Sequence, residues 1–160
     1  MSIERSLPTY LADAKSRALD AEAQKYIAAL ASSAVKTVAH AVGRSPNLAS
    51  RLAGFGTLAT NRARVAANAA AEYSGEVISL LVQSGVDYEK DAVARQIASM
   101  AHAAVNEAST FFHEAEDSLQ NINQMRMDIE NIDISDLETA KDDDRNTTPS
   151  QPMRNEMVWS

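Results

Sequence analysis

The chain has 160 residues, a net charge of −7 at pH 7 and no Cys, which excludes disulfides, thiolate metal sites and Cys nucleophiles. Its 29 Ala against only 5% aromatic residues favour thin helical seams over a thick globular core. Composition therefore predicts an all-α fold: an elongated bundle of about three long helices with a flexible acidic C-terminal tail.

A short arm, residues 1–7, precedes a helix predicted over residues 8–43 of a helical domain spanning 8–132. Pro8 suits a first helical turn, and Leu19, Ala23, Ile27, Leu30, Ala34, Val38 and Val42 step by three or four along one side. Gly43 is the expected left-handed stop. Ser45 and Pro46 then open a second helix over 46–84. Its apolar positions are Leu48, Leu52, Phe55, Ala59, Ala66, Ala69, Tyr73, Val77 and Leu81, with Arg62 interrupting the row. Gly54 and Gly56 each cost about 1 kcal/mol relative to Ala inside a helix, so a kink or loose turn is expected between Arg51 and Thr57.

Ser84 and Gly85 end the second helix, and Asp87 is the expected cap of a third over 87–132. Here Val93, Ile97, Met100, Ala104, Ala108, Phe111, Ala115, Leu119, Ile122, Met125, Ile129 and Ile132 keep helical spacing without an internal Gly or Pro. Unbroken, that helix is ~69 Å long, which predicts a rod. Residues 133–160 form an acidic linker and C-terminal peptide. A short helix capped by Ser135 is expected over Asp133–Lys141, then a tether-like stretch over 142–152. Met157 and Trp159 follow as anchors that dock the tail on a neighbouring subunit or partner.

Charge is polarised, with a net +3 over residues 1–85 and −10 over 86–160. Such asymmetry favours head-to-tail or antiparallel contacts between unlike halves, set against the plainer reading that the acids only keep the second half in solution. Arg44, Arg51, Arg62 and Arg64 are the densest basic region. Acids of the following helix are their expected partners, within or between subunits. The acidic total and the lack of interleaved aromatics leave nucleic acid only as passing cargo. Small residues at Ala104 and Ala108, with Phe111 beside them, mark a surface for close helix approach.

Catalytic chemistry finds no anchor. His40, His102 and His113 follow Thr37, Ser99 and Thr110 at three residues' distance, so the Glu-x-x-His pattern of helical di-iron sites is missing. His113 and Asp117 make one i, i+4 pair, fewer ligands than a metal site needs. Gly54-Phe55-Gly56 lacks the third glycine and the Lys-Ser/Thr of a phosphate loop. No enzyme activity, catalytic residue, cofactor or metal is expected. Neither a membrane span nor a standard secretory signal is expected. The run Tyr26–Gly43 holds only Lys36 and His40 as charges, which leaves transient membrane contact open, although its Ala-rich face suits helix packing better.

The alanine-rich stretch Asn61–Glu72 and the long third helix give residues 10–132 a texture that resembles small internal or ejection proteins of tailed bacteriophages, particularly short-tailed ones. That resemblance implies a Cys-free helical subunit of a ring or tube that passes into the host envelope, located in the virion, with copies of itself and other virion or envelope proteins as partners. Granule-coating and secretion-associated helical proteins share the texture. The function expected is thus a non-enzymatic structural subunit of a homo-oligomer. The alternatives are a membrane-surface or granule-associated amphipathic protein, and a cytoplasmic helical adaptor or regulator binding one protein partner.

Overall fold

A computed structural model describes the backbone of residues 6–146 and the side chains of residues 6–132. Within them the chain forms α1 (Leu7–Arg44), a single 3-10 turn (Pro46–Leu48), α2 (Ala49–Gln83) and α3 (Ala92–Asn146), with no strand among the described residues. Three stacked core clusters give the topology. Ala14 and Ala18 meet Val77, Leu81, Ala94 and Ile97 at one end. Ala28, Ala66, Ala70 and Ala108 meet in the middle. Val35 and Val42 meet Ala49, Ala53, Ala115 and Ile122 at the other end. Hence α2 runs antiparallel to α1, and α3 returns parallel to α1. This is the predicted elongated three-helix bundle.

Local signals set most boundaries, with several departures from expectation. Ser6 starts α1 by accepting the Thr9 N–H at 3.4 Å, with Pro8 in the first turn. Gly43 does not stop α1, since Gly85 is the only described residue with positive φ, at 75°. The helix ends at Ser45 (φ −138°, ψ 82°), because the ring of Pro46 drives the preceding residue out of the helical region.

The expected kink in the second helix is absent, and α2 is continuous from Ala49. Gly56 lies against Leu119 and Ile122, where an added Cβ would meet both side chains at 3.2 Å. Close packing there offsets the propensity cost of glycine. The Thr57 and Thr60 hydroxyls donate to the Ala53 and Gly56 carbonyls at 3.0 and 2.8 Å.

The third helix starts later than predicted. Asp87 accepts the Glu89 N–H within a turn, and Asp91 caps α3 by accepting the Ala94 N–H at 2.8 Å. The helix also runs past Ile132, so the separate short helix capped by Ser135 does not form. Its 55 residues make α3 ~82 Å long. Residues 147–160, with Met157 and Trp159 and the predicted docking of the tail, lie outside the described residues.

The interior is made of small residues at a spacing of seven. Buried positions include Ala14, Ala21, Ala28, Val35 and Val42 on α1. On α2 they are Ala49, Gly56, Ala63, Ala70 and Val77. On α3 they are Ala94, Ala101, Ala108, Ala115 and Ile122. A seven-residue period implies a gentle left-handed supercoil of close-packed helices. Among the described residues, fifteen of the 21 buried apolar residues are Ala, so the core is thin and each contact depends on near approach of backbones. This overturns the core face expected for α1. Of that row only Val42 is buried and Val38 half-buried, whereas Leu19, Ala23, Ile27, Leu30 and Ala34 point outward.

Candidate functional site

The outward face of the α1–α2 pair combines two features, exposed apolar bulk and positive charge. Its first feature is bulk. Ile27, Leu30 and Ala34 of α1 flank shallow depressions completed by Leu58, Ala59, Arg62 and Val65 of α2. Leu30 is 73% exposed and Phe55 65%. On α2 the residues Arg51, Phe55, Leu58, Arg62 and Val65 are spaced by four and three, so they form one stripe beside α1.

Its second feature is an excess of positive charge, carried by unpaired arginines. Residues 23–71, the upper parts of α1 and α2 with the turn between them, contain six Lys or Arg and no Asp or Glu. Among the described residues none of Arg44, Arg51, Arg62 and Arg64 forms an ion pair. The expected pairing of these arginines with acids of the next helix is therefore not made inside the described chain. Arg62 sits within the apolar depressions. Arg64 lies ~200° further round the helix and belongs to the other flank of α2, so the four do not form one strip. All four are exposed.

Acids of α3 instead serve α1 on a different face. Lys25 Nζ lies 3.1 Å from Glu107 Oε2, and Lys36 Nζ lies 2.7 Å from Glu114 Oε2. Burial disfavours the charge on Lys25, yet the hydrogen bond and attraction of Glu107, with Tyr26 and Glu22, outweigh it and raise the pKa above the usual 10.5. At the lower end Arg17 reaches Asp20 at 3.3 Å and Glu76 at 3.2 Å, with its guanidinium 6.0 Å from the centre of the Tyr73 ring. These pairs are largely solvated and fasten the bundle only weakly.

The remaining sequence candidates resolve differently. Ala104 and Ala108 are buried inside the chain's own seam, and Phe111 packs half-buried beside Ala108. The close helix approach that they allow is used within the chain's own seam. His113 pairs with Glu116 at 3.1 Å rather than with Asp117. Among the described residues no group of three or more His, Asp or Glu is placed to hold a metal ion. No helix of the described residues is long and apolar enough to cross a membrane.

The outward α1–α2 face was missed by reasoning from bulk, which assigned Ile27 and Leu30 to the core. The signal that locates it is the seven-residue run of small residues, which claims the interior and leaves the large side chains outside. No family model matches the chain, and no curated protein or solved structure matches it.

Proposed function

We propose that the chain is a non-enzymatic structural subunit of a homo-oligomeric assembly, most specifically an ejection or tube component of a tailed-phage virion that assists genome delivery across the host envelope. One observation supports self-assembly above all. The bundle builds its seam mostly from alanine and displays Ile27, Leu30, Phe55, Leu58 and Val65 on one face. Burying a large aliphatic or aromatic side chain stabilises by ~1.5–3 kcal/mol, and contiguous apolar patches on monomers are usually small or functional. Completion of this core by another subunit explains why bulk and interior are separated.

The partners in this reading are copies of the chain, other virion or envelope proteins, and a membrane met by the assembled form. Sedimentation velocity and native mass spectrometry of the full chain test it. A discrete multimer, weakened but not abolished by raising salt, is the expected result. A monomer at high concentration and low salt defeats the assembly reading.

A second reading draws on the same face, since arginines flanking exposed aliphatics are also the arrangement of a membrane-surface helix pair. Flotation of a monomer with anionic vesicles, without self-association, selects that reading.

A further inference from the structure

We infer that the C-terminal end of α3 in one copy docks on the outward α1–α2 face of the next copy, a head-to-tail contact. The inference rests on the self-assembly reading above and names the two surfaces that meet.

The first ground is the overhang of α3. Gly56 packs against Leu119 and Ile122, so the start of α2 at Ala49 lies level with about residue 129 of α3. The helix nevertheless continues to Asn146, which carries it ~26 Å past the α1–α2 turn. Ile129 is half-buried and Ile132 is 56% exposed as the helix leaves the bundle. Among the described side chains, which end at Ile132, none in the three core clusters lies beyond Met125. An isolated helical stretch of that length is marginal in water, so an external surface is its natural support.

Complementarity is the second ground. Residues 128–146 contain eight Asp or Glu against two Lys or Arg, with Ile129, Ile132, Ile134 and Leu137 among them. The receiving face is the reverse, acid-free over residues 23–71 and apolar between unpaired arginines. Lengths agree as well. From Arg51 to Val65, the α2 part of the face covers ~21 Å of helix, close to the ~26 Å overhang. Carboxylates would meet Arg51 and Arg62 while the aliphatic side chains cover Leu30 and Leu58.

Each copy offers one end and one face, so the contact is heterologous. Such contacts repeat until a ring closes or a filament grows, whereas a two-fold patch-to-patch dimer stops at two.

The test uses three full-length proteins: wild type, a face variant (Arg51→Glu with Arg62→Glu) and an end variant (Asp133→Lys, Asp136→Lys and Glu138→Lys). Far-UV circular dichroism confirms that each variant is as helical as wild type. Self-association of each variant alone should weaken roughly tenfold or more, as for loss of close interfacial charge pairs. Mixed one to one, the variants should associate again, because the intact acidic end of one meets the intact basic face of the other. Restored association in the mixture is the signature of two unlike surfaces. Variants that assemble like wild type overturn the docking while leaving assembly intact. Weakening without rescue points to patch-to-patch pairing and also overturns it. Monomeric wild type overturns both the docking and the assembly reading. Capture of monomeric wild type, but not the face variant, by vesicles of phosphatidylcholine with phosphatidylglycerol overturns it in favour of a lipid surface.

Discussion

The two sides of α1 follow opposite rules. Inward, Ala14, Ala21, Ala28, Val35 and Val42 form a smooth seam that admits two other helices at once. Outward, Leu19, Ile27 and Leu30 place large aliphatic side chains in contact with water. A bundle built this way gains stability from nearness of backbones, not from the volume of its side chains. Large residues such as Ile27 and Leu30 remain available for an external partner. The difference teaches that the most hydrophobic side of a helix is not always the side its own chain buries.

Paired substitutions test this contrast directly, and the largest effect belongs to the seam. Ala108 is fully buried among Ala28, Ala66 and Ala70. Ala108→Gln forces a longer polar group into that space and should destabilise by about 3 kcal/mol or more, lowering the urea midpoint and Tm. Leu30→Gln removes bulk from the outward side. It should change the stability of the isolated chain by no more than about 0.5 kcal/mol while weakening self-association. Equal destabilisation by the two variants would break the distinction between the faces.

A smaller effect sharpens it. Ser32 is 1% exposed, and its Oγ has no hydrogen-bond partner. Replacing Ser32 by Ala removes an unsatisfied hydroxyl from a seam already rich in alanine, so stability should rise by about 1 kcal/mol. Chemical denaturation reads the gain.

The smallest effect lies on the α1–α3 side. Glu107→Gln removes the partner of Lys25 and should cost at most about 1 kcal/mol near neutral pH, because Glu107 is largely exposed. The pKa of Lys25 is raised in the fold. Its charged form therefore contributes stability fully below the ordinary value of 10.5, and that contribution fades as pH rises through the higher folded value. The gap in Tm between wild type and Glu107→Gln should stay level from pH 8 to 10 and then close.

How much of this was legible in the sequence depended on where bulk and smallness coincided. In α3 they mostly share a side, so Ile97, Ala104, Ala108, Ala115 and Ile122 of the expected row face inward, although Val93 and Ile132 at its two ends are more than half exposed. On α1 they separate, and weighting by size selected Leu19, Ile27 and Leu30, which face water. Gly56 looked like a helix breaker because propensity is local. Its compensation comes from Leu119 and Ile122, more than sixty residues away. Asp87 was the expected cap of the third helix, but it sits in the turn over Asp87–Lys90 and the helix starts four residues later at the Asp91 cap. Arg62 and Arg64 are close in sequence, yet helical rotation separates them. The outward face was therefore only partly legible, through the arginines and not through the aliphatic residues beside them.

The shared period of seven also makes the molecule a kind of ruler. Every seven residues add a layer ~10.5 Å tall, with alanine alone in the middle and Val, Leu or Ile joining it toward the two ends. Removing one layer from all three helices together would shorten the bundle by one graduation and leave the remaining layers in phase. Removing a single residue from one helix would rotate everything beyond it by ~100° and turn the smooth seam away from its neighbours. Length in this fold is therefore quantised, and a lineage can alter its reach in whole steps without designing a new interior.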